Sequence, residues 1–345
     1  MTSGNGNSGC INWGIVGTAD ISRTIASDMK LVADAHLRAV ASRTADRAAA
    51  AAAEYGAERG CSFAELIEAP DIDAVYIGTP PATHRDYAIA AVNAGKHVLL
   101  EKPAGMNEGE VREIAAVAAA RGVFAMEAMW MKFNPLYRQL KEEIAAGVIG
   151  EPRSVRASFG IPFPKTRGSK WSGLLGGSAM LDQGIYPLTL ALDFLGAPNA
   201  VFTTGRMQPD GVDSCANVTL EFPGERYAQF AVSMTEFLDS SASISGTAGW
   251  TTIGFPFWAV RRYATSRGGK LSAPPVVTEA SFAGYGYVAM LEAADAAIKL
   301  GKIEHELHPW SQVFSTFGLL DEIRKQLSGG RPAYTDLAQM SERTP

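Results

Sequence analysis

Lys102 stands between Glu101 and Pro103 at the end of the apolar run His97-Val98-Leu99-Leu100, and Asp182 and Tyr186 lie four residues apart far downstream. These side chains have the types and spacing for proton transfer. The apolar run reads as a strand of a parallel sheet, and in open α/β sheets ligands and catalytic groups gather at the carboxyl edge. A proline directly after the lysine restricts its backbone, and with it the direction of the ammonium. In a helical segment Asp182 and Tyr186 project from one face. A lysine ammonium near a tyrosine favours phenolate and lowers the phenol pKa from about 10. Such a pair can exchange a proton with a substrate hydroxyl, while Asp182 orients either partner or holds a second hydroxyl. The entry Leu174-Leu175-Gly176-Gly177 permits close backbone approach to a ligand. A lone lysine and an Asp–Tyr pair are each common as plain structure, so their weight comes from this setting.

A second constellation runs from Gly14 to Ser22. Read from Gly17 it is G-x-A-x-x-S, a softened form of the dinucleotide G-x-G-x-x-G turn. Gly17 can make the tight turn, and Ala19 and Ser22 are small enough to let a pyrophosphate and the helix approach. The amino terminus of that helix supplies N–H donors to the anion. At the end of the next strand Ser42-Arg43-Thr44 stands where an NAD site wants a carboxylate for the ribose hydroxyls. A hydroxyl and a guanidinium suit a 2′-phosphate instead, so NADP(H) is expected ahead of NAD(H). With such a cofactor, proton exchange at Tyr186 would accompany hydride movement to or from a nicotinamide.

The elements that must position these groups follow from periodicity. Over the first 130 residues short β-branched runs alternate with helical patterns: strands at Ile11 to Gly17, His36 to Ala41, Ala74 to Gly78 and His97 to Leu100. Ser62 with Glu65, and Asn107 with Glu110, offer helix caps. Helices between the strands imply a parallel sheet with both faces covered. After Trp130 the pattern changes to hairpin-like runs such as Cys215 to Phe222 and Tyr227 to Phe237 around Pro223-Gly224. The expected fold is α/β. A doubly wound Rossmann domain over residues 10–130 precedes an α+β domain over 131–345 with a large, mostly antiparallel open sheet, and residues 1–9 form a frayed tail.

Composition excludes several classes. A formal net charge of −5 without a basic cluster argues against nucleic acid, and no apolar run is long enough for a membrane span. Met1 to Gly9 lack the apolar core of a signal peptide. Cys10, Cys61 and Cys215 are far apart, and His305 and His308 have no third ligand nearby in sequence, so no metal site and a cytoplasmic location are expected.

The Gly14 to Ser22 turn, Tyr76-Ile77-Gly78-Thr79-Pro80-Pro81 with His84, and Ala94 to Pro103 resemble the glucose–fructose oxidoreductase/inositol dehydrogenase (Gfo/Idh/MocA) family. So do Glu127-Ala128-Met129-Trp130, Gly176 to Tyr186 and Ser245 to Gly249, so nearly the whole chain is covered. Tyrosine, where many members carry histidine, resembles the dihydrodiol dehydrogenase, D-xylose dehydrogenase and glucose–fructose oxidoreductase branch. The resemblance implies an oxidoreductase acting on a sugar or cyclic diol, with Lys102, Tyr186 and Asp182 catalytic. It implies cofactor contacts from Gly17, Thr18, Ala19, Asp20, Ile21, Ser42, Arg43, Thr79, Pro80, His84, Glu101 and Lys102. It also implies a cis bond at Lys102-Pro103 and a homodimer formed through the open sheet face. The aromatics Trp130, Phe159 and Trp171 are expected to wall the substrate pocket. Ala19, Ser22 and Ser178 replace glycines common in the family. Related enzymes that reduce carbonyl or imine substrates, and a non-catalytic NADPH-binding sensor, are the alternatives.

Overall fold

Six short strands are the framework of the amino-terminal half: β1 (Ile11–Val16), β2 (Ala35–Ala41), β3 (Arg59–Cys61), β4 (Ala74–Ile77), β5 (His97–Leu100) and β6 (Ala125–Glu127). The computed structural model describes residues 9–268, 273–329 and 333–336. The expected tail therefore lies, apart from Gly9, outside the described residues. All six strands are parallel, in the order β3-β2-β1-β4-β5-β6. The helices α1 (Asp20–Met29), α2 (Ala45–Tyr55), α3 (Phe63–Glu68), α4 (His84–Asn93) and α5 (Glu108–Arg121) connect them. β4 is buried at every residue, as expected of a strand covered on both faces. Ser62 and Glu65 form a reciprocal capping box on α3, and Asn107 accepts from the Glu110 N–H on α5.

The chain then continues through α6 (Pro135–Ala145), β7 (Pro152–Gly160), α7 (Ile185–Leu195) and a run of strands. These are β8 (Ala200–Met207), β9 (Asp213–Phe222), β10 (Arg226–Ser233), β11 (Ala242–Gly246), β12 (Gly249–Ile253), β13 (Arg262–Arg267) and β14 (Val276–Glu279). With β15 (Ala333–Asp336) they make a nine-stranded sheet, ordered β14-β13-β12-β11-β7-β10-β9-β8-β15. Only the β7–β10 pairing is parallel. β9 alternates buried and open residues through most of its length, the pattern of a sheet with unlike faces.

Two compact units result: Met1–Asn134 with Phe282–Phe314, and Pro135–Ser281 with Ser315–Pro345. The expectation of one uninterrupted domain over residues 131–345 fails at Phe282–Phe314, which belongs with the first unit. Buried polar pairs hold it there. The Asp28 carboxylate, wholly buried, accepts from the N–H groups of Tyr285 and Tyr287, each at 2.8 Å. On the helix that follows, α8 (Val288–Lys299), Asp295 accepts from Trp13 Nε1 at 2.9 Å. Among the described residues no helix is long and apolar enough to cross a membrane.

Candidate active site

The order of the parallel sheet puts its topological switch between β1 and β4, where the carboxyl ends open a crevice. Gly17 leaves β1 with φ +106°, and a Cβ there would stand 2.9 Å from the Gly78 carbonyl oxygen. Only glycine satisfies both conditions. Ala19 precedes α1 and, being an alanine, gives it no side-chain cap, so no side chain at the N-cap stands between the helix start and a bound anion. Ala19 and Asp20 are exposed, and Thr18 and Ile21 are partly so. Ser22 is fully buried, and its hydroxyl lies 2.7 Å from where a Gly78 Cβ would be. It therefore serves close packing of α1 on the β4 end. A cradle of this kind fits a dinucleotide pyrophosphate.

At the end of β2, Ser42 is half-buried and Arg43 exposed. One turn along, Arg47 on α2 reaches the same crevice, its Nη2 donating to Thr18 Oγ1 at 3.5 Å. The sequence reading misses Arg47. Its spacing of four from Arg43, on the first turn of a helix, is the signal that could have found it.

The Lys102 segment is held from several sides. The Lys102-Pro103 peptide is cis. Tyr76 Oη donates to Glu101 Oε2 at 2.6 Å, and Glu101 is 8% exposed. Glu127, fully buried, accepts from the Ala104 N–H at 2.9 Å through one oxygen and faces His308 Nε2 at 2.8 Å through the other. His84 is fully buried as well. Its Nδ1 lies 2.9 Å from the Pro103 carbonyl oxygen and its Nε2 2.8 Å from that of Thr79. Burial drives the imidazole pKa below its usual value, and the two carbonyl oxygens pull it part of the way back. The sequence reading assigns His84 to the cofactor. It is fully buried, and its ring nitrogens lie within hydrogen-bond distance of carbonyls on the loop after β4 and the loop after β5, so it links the two loops. Thr79 and Pro80, on the first of those loops, are half-buried at the crevice edge.

Trp130, read as a pocket wall, is only 5% exposed and stacks on Tyr287, with ring centroids 4.7 Å apart. The Phe282–Phe314 segment covers it, so in the first unit it packs as core.

In the second unit, Met180–Gly184 forms a π-helical turn that runs into α7, so Asp182 sits in the turn and Tyr186 on the first turn of the helix. Lys170 Nζ donates to Asp182 Oδ1 at 2.8 Å. Tyr186, buried, lies among aromatic rings: Phe159 at 5.8 Å and Trp258 at 6.0 Å between centroids. Phe159 and Trp258 are stacked face to face at 3.6 Å. Trp171 donates its Nε1–H to the Phe163 carbonyl at 2.9 Å, and Lys165 Nζ covers its ring at 3.7 Å. The close approach expected at Gly177 occurs within the chain itself. A Cβ there would meet the Lys170 carbonyl oxygen at 2.5 Å, so the glycine serves loop packing.

Residues 11–129 match the model of an oxidoreductase family with an NAD-binding Rossmann fold (GFO/IDH/MocA), and residues 137–252 match the GFO/IDH/MocA C-terminal domain. The human trans-1,2-dihydrobenzene-1,2-diol dehydrogenase is 32% identical over 92% of this chain and 97% of its own length. This chain belongs to the GFO/IDH/MocA oxidoreductase family. The bovine trans-1,2-dihydrobenzene-1,2-diol dehydrogenase is 35% identical over 72% of this chain and 76% of its own. Among solved structures of this oxidoreductase fold, the 3-ketoreductase KijD10 from Actinomadura kijaniata, in complex with NADP and TDP-benzene, superimposes with a TM-score of 0.82. That match has 29% identity and covers 92% of this chain and 97% of the other. Aldose-aldose oxidoreductase from Caulobacter crescentus shares the fold at a TM-score of 0.84 and 22% identity, over 94% of this chain and 100% of the other.

Proposed function

We propose that this oxidoreductase uses NADP(H) to interconvert a hydroxyl and a carbonyl on a ring carbon, in a trans-dihydrodiol or an aldose. The observation that carries the reading is the surround of Tyr186. A buried phenol lies beside the Phe159–Trp258 stack, one turn from an aspartate paired to a lysine. Aromatic faces suit a planar carbocycle or the apolar face of a sugar ring. The dihydrodiol dehydrogenases among the relatives support the first of these.

The nicotinamide, when bound, accepts or supplies the hydride. Tyr186 Oη takes the proton from the substrate hydroxyl in oxidation and returns it in reduction. Lys102 would tune Tyr186 or contact the reacting oxygen once substrate and cofactor are bound, and Asp182, paired to Lys170, would hold a neighbouring hydroxyl. Gly17 through Ile21 would hold the pyrophosphate, Ser42 and Arg43 the adenosine ribose and its 2′-phosphate, with Arg47 close by. A hydroxyl and a guanidinium at the end of β2, where an NAD site wants a carboxylate, with a second guanidinium at Arg47, support NADP over NAD. The ketoreductase relative, solved with NADP and with variants of a tyrosine and of a lysine, supports the carbonyl-reducing direction as a second reading. The family relationship supports a homodimer through the open face of the nine-stranded sheet.

The test is NADPH formation from NADP⁺ over a panel of trans-dihydrodiols, aldoses and polyols, with NAD⁺ in parallel. Turnover of one class with NADP⁺ is the expected result. Silence in both directions, carbonyl substrates with NADPH included, would leave a protein that only binds the cofactor.

A further inference from the structure

Asp213, the first residue of β9, is fully buried in the second unit. Its carboxylate accepts from Ser178 Oγ at 2.5 Å and from the Met180 N–H at 2.7 Å, and it faces Arg324 Nε at 3.5 Å. Ser178 Oγ in turn accepts from the Leu181 N–H at 2.9 Å. Two of the N–H groups that a helix start leaves without intrahelical partners are thus satisfied by a buried carboxylate and its hydroxyl relay. Burial pushes the Asp213 carboxyl up, while the bonds from Ser178 and Met180 and the Arg324 charge oppose that shift. The caps Ser62, exposed, and Asn107, half-buried, each serve the helix they directly precede. The Asp213 anchor instead comes from a different element, 33 residues from the N–H it binds.

What it anchors is the π turn Met180–Gly184. A π turn holds one more residue than an α-turn and is found mostly as single turns at functional sites. The extra residue changes the rotation of everything after it by about 100° relative to an uninterrupted α-helix. Asp182 lies inside this turn and Tyr186 just beyond it, so the angle between their side chains depends on the turn keeping its form. We propose that Asp213, acting through Ser178 and the Met180 N–H, is the positioning residue that sets the direction of Asp182 and Tyr186. The inference rests on the acid/base role proposed for Tyr186. The Ser178 hydroxyl is half of the anchor.

The experiment compares Ser178→Ala, Asp213→Asn and Tyr186→Phe, each with NADP⁺ and trans-1,2-dihydrobenzene-1,2-diol as the probe, reading kcat, KM and the thermal midpoint. Loss of the anchor is expected to lower kcat at least ten-fold while KM for NADP⁺ stays within about two-fold, because the cofactor turn lies on other elements. If Asp213→Asn does not fold, Ser178→Ala, which removes only one hydroxyl, decides. A Ser178→Ala enzyme with parental kcat and only a lower thermal midpoint would make the anchor purely structural and overturn the proposal. Parental kcat in Tyr186→Phe would instead remove the acid/base reading itself, and the positioning role with it.

Discussion

Glu127 and His308 face each other at 2.8 Å, both fully or almost fully buried, although 181 residues separate them in sequence. The same carboxylate takes the Ala104 N–H, two residues past Lys102. Placement of the lysine segment is therefore tied to the chain's late return to the first unit. Removing one partner of a buried ion pair or charge-assisted bond typically costs about 3–5 kcal/mol, because the other is left uncompensated. Glu127→Ala should lose about that much, and Glu127→Gln, which keeps an acceptor for Ala104, clearly less. Urea unfolding measures both. Equal stabilities for the two variants would show that the Ala104 bond contributes nothing.

Arg43 is exposed at the end of β2. A charge-assisted hydrogen bond is worth about 1.5–3 kcal/mol. Arg43→Ala should therefore weaken NADPH by on the order of ten- to a hundred-fold and leave NADH almost unchanged. Arg47→Ala should act in the same direction. Fluorescence titration with both cofactors reads the difference, and equal losses for NADPH and NADH would sink the 2′-phosphate assignment.

General acid–base groups typically contribute about 10²–10⁴-fold. Tyr186→Phe should reduce kcat within that range and leave the NADPH Kd within a few-fold of the parent. Lys102→Ala should also reduce kcat, and near-normal turnover in that variant would remove lysine from the mechanism.

Asp295 predicts a pH dependence of stability. Burial raises its carboxyl pKa to about 7, opposed by the Trp13 bond and the Lys299 charge. The unfolded chain releases that proton near 3.9. Between those values the folded state binds more protons than the unfolded state, so stability falls as pH rises through the window and levels off above about 7. The full span corresponds to about 4 kcal/mol. Asp295→Asn keeps an acceptor for Trp13 Nε1 and cannot ionise, so its thermal midpoint should fall much less than the parent's between pH 5 and pH 8. Parallel pH profiles for the two proteins would assign the dependence to other groups.

Features set by neighbouring residues were legible before any fold was known. The caps at Ser62 and Asn107 close over three residues, and the strand–turn–helix from Ile11 needs only its apolar run and Gly17. Alternating strands and helices, and later hairpins, were enough for a parallel sheet followed by a mostly antiparallel one. Tertiary structure decided which polar and aromatic side chains remain available. His84 and Glu101 read from sequence as cofactor contacts, and only the fold shows the carbonyls of Thr79 and Pro103 beside the one and the Tyr76 hydroxyl on the other. Trp130 became core because Tyr287 stacks on it. The return of Phe282–Phe314 depends on Asp28 and Trp13, more than 250 residues earlier. No local period encodes a partner at that separation. Burial of a charged or polar group is favourable only once its distant partner is in place, so these roles emerge with the packed fold and not before it.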